Sequence, residues 1–346
     1  MPKPRLEMAS LVAAPRTKLQ ASRLSGHKTT VLCLCLRNGY MLSGSSGGQI
    51  RLWNVETGRT EKAIVWRGEV NSVAFHPKKD GIIFAASGVA IASFDLNVDG
   101  ILVTKPLKLN KNAANDEINA ICVDEEKGFS LAVADDMGEI RMFNTTTLKL
   151  VVDKNRSTCI GKHENIACCM ARHPMSKDFR FVTGALDATF KTWSGKTRKR
   201  LLRVQVTPCS AEDASGTSGG SGQLVNPPLV HSISYSPDGT RILVGCGDGT
   251  IGVYNANTGV CHTRLSGGHA SAVAQVAYTK SSKIVSGGND KYICVWNGKG
   301  GAGELPFVRF LHSEPINFFA CGEGNNTLYV AGLGKNVISY SGECFA

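Results

Sequence analysis

The sequence predicts an all-β protein built from seven copies of one four-stranded unit, and three observations support this. An aromatic residue closes each copy, at successive spacings of 41, 49, 50, 61, 42 and 44 residues. Short apolar runs of β-strand length precede each aromatic residue, separated by turn sequences rich in Gly, Pro and Asp. No long segment has the 3.6-residue period of a helix. Repeats of this length are typical of a β-propeller, with one blade per copy. The closing residues are Trp53, Phe94, Phe143, Trp193, Tyr254, Trp296 and Tyr340.

The two ends of the chain are predicted to share the seventh blade. Residues 316–341 supply only three strand-like runs, and a fourth run, 17–24, precedes the first Gly26-His27 pair. Pairing the terminal strands would close the ring and remove two exposed strand edges. We therefore predict one propeller over residues 17–346, preceded by a disordered tail at 1–16.

The longest spacing, between Trp193 and Tyr254, contains a Gly- and Ser-rich segment without apolar alternation. Such a segment cannot bury one face, so we predict a flexible insertion at about residues 207–224.

The repeats resemble those of the WD-repeat superfamily, because each strong copy runs from a His, directly preceded by Gly in two of them, to a closing Trp. In the copies that end at Trp296 and Trp193, polar residues occupy the places of that superfamily's hydrogen-bond chain. A catalytic triad is the competing interpretation, but a catalytic site would be made once, and repetition favours a structural role. A third, partial set has His27, Ser43 and Trp53, and Ser46 lies near the position that is Asp in the complete sets, which we call the Asp place. The two complete sets are His269, Ser286, Asp290 and Trp296, and His163, Thr183, Asp187 and Trp193.

A closer likeness within the superfamily rests on residues 163–168, 184–187, 222–234 and 286–290. It implies a non-catalytic adaptor of cullin-based ubiquitin ligases, which would hold a substrate and dock on a ligase adaptor. Members that dock in this way often carry Trp-Asp-x-Arg at a blade end. The corresponding segments at 53–56, 94–97, 193–196 and 296–299 have no Arg.

The net charge of +11 is compatible with two interpretations. The cations could keep exposed turns and outer strands soluble, or they could bind nucleic acid or another acidic partner. The densest cluster is at 191–203, and no aromatic residues alternate with its charges as base-stacking sites require. We therefore favour the first interpretation, with an RNA- or chromatin-associated propeller as the alternative function.

Catalysis, metal binding and cofactor binding are not predicted. The twelve cysteines include no C-x-x-C pair, and Cys168 and Cys169 would point to opposite faces of a strand. The Gly-rich run at 298–303 is followed by no helix start, which a pyrophosphate site needs. Free, mostly buried thiols indicate a reducing compartment, and no segment is long enough to span a membrane. We predict a cytoplasmic or nuclear protein.

The sequence thus predicts a non-catalytic interaction scaffold, monomeric within a larger complex. Its binding surface is expected on the face with the Gly-His loops and the Asp turns, where loops vary on a rigid frame. Trp66 stands at the His place of its blade beside Arg67, and both types are enriched at interfaces. Packing over the blade end is the alternative role for Trp66. The candidate partner-binding residues are Trp66, Arg67, Arg198, Lys199 and Arg200.

Overall fold

The structure is a computed structural model of the 346-residue chain. It describes residues 19–152, 157–208, 227–298, 304–322 and 326–345. The predicted tail at 1–16 and all but the first two residues of the predicted insertion at 207–224 lie outside the described residues.

The described chain forms seven sheets, each one blade. Blade 1 contains β2 (Val31–Arg37), β3 (Tyr40–Ser45), β4 (Gln49–Asn54), β5 (Thr60–Val65) and β9 (Leu102–Val103). Blade 2 contains β6 (Ser72–Phe75), β7 (Ile82–Ser87), β8 (Ala90–Asp95) and β10 (Lys108–Asn110). Blade 3 contains β11 (Ile118–Val123), β12 (Ser130–Asp135), β13 (Glu139–Asn144) and β14 (Gly161–Lys162). Blade 4 contains β15 (Ala167–Arg172), β16 (Arg180–Ala185), β17 (Thr189–Ser194) and β18 (Lys199–Gln205).

The remaining blades repeat this order. Blade 5 contains β19 (Val230–Tyr235), β20 (Arg241–Cys246), β21 (Ile251–Asn255) and β22 (Cys261–Leu265). Blade 6 contains β23 (Val273–Tyr278), β24 (Ile284–Gly288), β25 (Tyr292–Trp296) and β26 (Val308–Leu311). Blade 7 contains β27 (Ile316–Cys321), β28 (Thr327–Gly332), β29 (Asn336–Ser341) and, from the other end of the chain, β1 (Gln20–Ser25). One turn of 3₁₀ helix (Glu343–Phe345) follows.

The core lies between neighbouring blades. The second strand of each blade is almost completely buried, because a neighbouring blade covers each of its faces. Strands buried on both faces are apolar runs without alternation, as in Ile242-Leu243-Val244. All seven closing aromatic residues lie on third strands, as the repeat predicts.

The predicted closure is present. β1 pairs antiparallel with β29 over six residues, from Gln20 opposite Ser341 to Ser25 opposite Asn336. Leu24 is buried against Val337 and Trp53, so the N-terminal strand joins the core between blades 7 and 1. The all-β, seven-bladed propeller closed by its terminal strands is confirmed.

One blade departs from the four-stranded plan. The segment between β8 and β10 crosses to blade 1, where β9 pairs parallel with β5, Leu102 lying opposite Ala63. This crossover makes blade 1 five-stranded. A two-residue strand has too little pattern to be recognised in the sequence, since strand signals need at least four residues.

The ring has two faces, which follow from the antiparallel order of each blade. Loops that lead into first strands and turns between second and third strands lie on one face, which we call the His–Asp face. Loops that join first to second strands and third to outer strands lie on the opposite face. The described ends of the insertion, at 206–208 and 227–229, belong to a loop on the His–Asp face.

Candidate functional site

In blade 6 a chain of hydrogen bonds ties the loop before β23 to β24 and β25. The Ser286 hydroxyl lies 2.8 Å from His269 Nε2 and accepts a hydrogen bond of 2.9 Å from Trp296 Nε1. His269 Nδ1 lies 3.0 Å from Asp290 Oδ1. The imidazole is completely buried, and each of its nitrogens has a partner. Such a chain satisfies buried polar groups, so it joins the loop to the sheet.

The same arrangement recurs in blade 4. Thr183 Oγ1 lies 2.7 Å from His163 Nε2 and accepts a hydrogen bond of 2.8 Å from Trp193 Nε1. His163 Nδ1 lies 3.2 Å from Asp187 Oδ2. Burial alone would raise the pKa of Asp187, but hydrogen bonds, chiefly that from His163, outweigh it and hold the pKa well below its usual range. Asp187 therefore remains a carboxylate on the His–Asp face.

Blade 1 has a shorter chain. His27 Nε2 lies 2.6 Å from the Ser43 hydroxyl, which accepts a hydrogen bond of 2.8 Å from Trp53 Nε1. The Asp place is occupied by Gly47, and the buried His27 Nδ1 has no hydrogen-bond partner among the described residues. Burial, reinforced by the guanidinium of Arg51, lowers the pKa of His27 to about 4.

We expect the ring to lose stability as the pH falls from 7 towards 4, with His27 as one cause. The unfolded chain protonates this imidazole near pH 6.5, and the fold protonates it only near pH 4. Between these values the unfolded state binds more protons than the fold does. The free energy of unfolding therefore decreases as the pH decreases, by about 3 kcal/mol in total for such a shift. Urea unfolding of wild type and His27→Gln at several pH values would measure this. An identical pH dependence in both proteins would contradict the assignment to His27.

Blade 7 contains a related contact that was not predicted from the sequence. His312 Nδ1 lies 2.8 Å from the hydroxyl of Tyr340, the closing aromatic residue of that blade. His312 precedes the first residue of β27 by four positions, as His269 precedes the first residue of β23. This spacing is the signal that could have identified His312, although no Gly stands in the two positions before it.

Trp66, a predicted partner-binding residue, packs within blade 2. Its backbone N–H donates to Gly48 O over 2.8 Å, as a His does in other blades, and its ring meets the edge of Phe94 at a centroid distance of 5.8 Å. The Ser place of this blade holds Ala85, so an apolar set replaces the polar chain. Arg67 is exposed, and its carbonyl accepts a hydrogen bond from Ser87. Partner binding by Trp66 and Arg67 stays a prediction.

The residues of the predicted basic cluster at 191–203, in blade 4, differ in their exposure to solvent. Lys191 is buried, and its Nζ donates a hydrogen bond of 2.7 Å to Lys162 O. Arg198 is half-buried and donates to Ser157 O over 3.3 Å, whereas Lys199 and Arg200 on β18 are exposed. Of the three predicted partner-binding cations in this cluster, two are thus available on the surface.

The burial of Lys191 follows a pattern shared by several blades. The residue two positions before the closing aromatic residue donates to the carbonyl that precedes the His place. Arg141 donates to Ala113 O over 3.1 Å, and the thiol of Cys294 donates to Gly268 O over 3.4 Å. Lys191 makes the equivalent contact in blade 4 and therefore has a structural role.

The positive charge of the chain is concentrated on the outer strands of the blades. An exposed outer strand can pair with another chain, and Lys and Arg side chains oppose such pairing. Much of the net charge of +11 therefore has a structural explanation that needs no acidic ligand. These strands carry one carboxylate, Glu61, and nine cations: Arg23, Lys62, Lys108, Lys162, Lys199, Arg200, Arg203, Arg264 and Arg309.

The His–Asp face has the opposite balance. Nine carboxylates and five cations lie in its described loops, so the face is acidic on a basic protein. Such a face favours and orients a basic partner. The carboxylates are Glu69, Asp116, Glu117, Asp136, Glu164, Asp187, Asp248, Asp290 and Glu314, and the cations are Lys28, Arg67, Lys111, Lys291 and Lys335.

Two of these carboxylates are held at the mouth of the central channel. The channel has a volume of about 290 Å³ and is lined by residues of all seven first strands. Asn71 Nδ2 donates a hydrogen bond of 2.7 Å to Glu117 Oε1, and Asn119 Nδ2 donates one of 2.7 Å to Asp136 Oδ1. The backbone N–H of Asp136 donates to Glu117 O over 2.9 Å. These bonds fix a pair of negative charges before any partner arrives.

The described residues show few groups suited to metal binding or thiol chemistry. Among them, no three His, Cys, Asp or Glu side chains are grouped so that they could hold a metal ion. None of the eleven cysteines of the described part forms a disulfide, and burial raises the pKa of Cys33, Cys122 and Cys294 to about 12, which suppresses their thiolates. A helix with the length and apolar character needed to cross a membrane is not found in the described chain.

The family described as WD domain, G-beta repeat matches residues 18–54, 222–255 and 259–297. Together with the seven-bladed ring and its recurring His, Ser or Thr, and Trp chains, these matches show that the chain contains WD repeats. Over nearly its whole length it is similar to the WD repeat-containing protein 53 homolog of Dictyostelium discoideum. The two are 29% identical over 350 residues, covering 91% of this chain and 92% of the relative.

Two further relatives are similar over smaller parts. The periodic tryptophan protein 2 homolog of Dictyostelium discoideum is 22% identical over 278 residues, 74% of this chain and 27% of the relative. The ribosome biogenesis protein bop1-A of Xenopus laevis is 32% identical over 74 residues, 21% of this chain and 10% of the relative. WD propellers of this kind are in general interaction scaffolds without catalytic activity.

Proposed function

We propose that this protein is a non-catalytic scaffold that binds a basic segment of a partner protein on its His–Asp face. The observation that carries the proposal is the pair Glu117 and Asp136, which Asn71 and Asn119 hold at the channel mouth. Preorganised charges lose little freedom when a partner binds, so they contribute to specificity and to the rate of association. The other carboxylates of the face extend the attraction beyond the channel.

We further propose that the scaffold serves a cullin-based ubiquitin ligase as a substrate receptor in the cytoplasm or nucleus. The support is the similarity to the WD repeat-containing protein 53 homolog, which covers 91% of this chain and 92% of the relative. The turns after the third strands carry Glu56 and Lys196 where docking members often have Arg, and Lys196 Nζ lies 3.2 Å from Asp178. Docking on a ligase adaptor would therefore use other contacts.

An RNA- or chromatin-associated scaffold is the second candidate. Lys199 and Arg200 are exposed on the outer strand of blade 4, beside the half-buried Arg198. A relative over 74 residues is named as a ribosome biogenesis protein. This candidate predicts nucleic-acid binding that weakens steeply as salt increases.

Affinity purification of the tagged full chain, with and without nuclease, tests these proposals. Glu117→Gln with Asp136→Asn removes both charges and keeps an oxygen acceptor for each asparagine. We expect this variant to lose most partner protein, whereas Lys199→Glu with Arg200→Glu on the outer rim should retain it. A cullin adaptor among nuclease-resistant partners would support the ligase role.

Two results would contradict the proposed face. Partners retained in full by the neutralised variant would show that the carboxylate pair is not part of the interface. Partners that are lost with nuclease and with the Lys199 and Arg200 reversal would favour the second candidate.

A further inference from the structure

A groove of about 470 Å³ lies between blades 1 and 2 on the opposite face. Its volume falls within the range of about 300–1,000 Å³ that is typical of ligand sites. Apolar side chains from both blades line it, among them Leu52, Phe75, Ile82 and Leu96, with the ring of Tyr40 at its edge. The groove therefore offers a concave apolar surface to a side chain of a ligand.

The crossover that breaks the repeat forms one wall of this groove. Lys62 Nζ donates hydrogen bonds of 2.5 Å and 2.7 Å to the carbonyls of Val98 and Gly100, which fastens the crossover to blade 1. Asn97 Nδ2 donates to Asp80 O over 3.0 Å and joins the crossover to the turn after β6. These contacts hold the groove open in one shape, which lowers the entropic cost of binding.

The charges at the rim indicate the chemistry of the ligand. Arg37, Lys62 and Lys79 line the groove, and one guanidinium N–H of Arg37 donates to Pro77 O over 2.9 Å. Two carboxylates, Glu61 and Asp80, also line it, and Glu61 Oε1 accepts a hydrogen bond of 3.0 Å from Asn54 Nδ2. The rim thus has one more cation than carboxylates, and it surrounds an apolar floor.

Exposed aliphatic residues continue this surface along the crossover. Val98, Ile101 and Leu102 are 42%, 62% and 55% exposed, and with Asp99 and Gly100 between them they follow the crossover from the groove into β9. An extended peptide could place one side chain on the groove floor and lie along these residues. A globular partner surface would not reach into a concave groove of this size as easily.

We propose that this groove binds a short linear segment of a partner protein in which an aliphatic side chain is flanked by carboxylates. The aliphatic side chain packs on Phe75 and Leu96, and the carboxylates meet Lys79 and Arg37. The site is separate from the His–Asp face, so the scaffold would hold two partners on opposite faces of the ring.

Selection of a displayed random-peptide library on the immobilised full chain tests this proposal. We expect enriched peptides to carry an aliphatic residue next to Asp or Glu. Their binding, followed by fluorescence anisotropy with the selected peptide, should weaken at least about tenfold in Tyr40→Ala with Lys79→Glu. Lys127→Glu with Lys177→Glu on the same face is the matched control and should bind as wild type does.

Three results would overturn the proposal. These are a selection without enrichment, enriched peptides that lack carboxylates, and peptide binding that the Tyr40 and Lys79 changes leave intact. Both residues are exposed, so thermal unfolding close to that of wild type should show that the variant is folded. None of these variants touches the carboxylate pair at the channel mouth, so this test and the partner purification can fail independently.

Discussion

Deletion of residues 1–25 is expected to lower the stability of the whole ring, because it removes β1 and leaves β29 as an open edge. The lost strand makes six residue pairs with β29 and buries Leu24 between blades 7 and 1. Loss of a buried Leu side chain alone costs about 2–5 kcal/mol, and the pairing adds to this. The unpaired edge is also expected to promote aggregation.

Thermal and urea unfolding of three proteins would measure the contribution of the closure. Deletion of residues 1–18 retains β1 and should unfold as the full chain does. Leu24→Ala should lie between the full chain and the deletion of residues 1–25. Equal stability of the longer deletion and the full chain would show that the terminal strand does not contribute to ring stability.

Replacement of Trp193 by Ala is expected to destabilise the ring by about 3–5 kcal/mol, the range for large aromatic residues in a core. Trp193 is 1% exposed and packs against Phe181 and Met142. Its Nε1–H is also the donor to the buried Thr183 hydroxyl, which would lose one of its partners. Urea unfolding at neutral pH would measure the loss.

Blade 3 suggests the control for this prediction, because it combines a closing Phe143 with Val133 at the Ser place. Trp193→Phe should cost about 1–3 kcal/mol by removing the donor to Thr183. Addition of Thr183→Val should cost less than the sum of the two single changes, since both belong to one hydrogen-bond chain. Strict additivity of the two free energies would contradict the coupling of these residues.

The sequence predicted the features that each blade repeats. The closing aromatic residues and the polar residues from His163 to Trp193 and from His269 to Trp296 follow from the repeated pattern, and the terminal closure follows from the strand that the last copy lacks. His312 was missed because no Gly stands in the two positions before it, although its spacing to β27 matches the other blades. Residues of the hydrogen-bond chains are therefore easiest to recognise in the blades whose sequences follow the repeat closely.

Which charged side chains are exposed to solvent could not be predicted from the sequence. Lys191 and Arg198 belong to the same basic run as Lys199 and Arg200, yet Lys191 is buried and Arg198 half-buried. Their environment is made by loops 29 and 41 residues away in the chain, which supply Lys162 O and Ser157 O as acceptors. The role of Trp66 depends in the same way on Phe94 and Ala85, which lie on other strands.

The sequence by itself determined the number of blades, the closure of the ring and the buried polar chains, because strand period and repeat spacing are local properties of a chain. Only the tertiary structure decided where the charges lie: cations on the outer strands, carboxylates on the His–Asp face and at the channel mouth. It also brought together the groove between blades 1 and 2, which is lined by residues of both blades and by Leu96 and Asn97 at the start of the crossover. These features arise from contacts between distant residues, which no local pattern encodes.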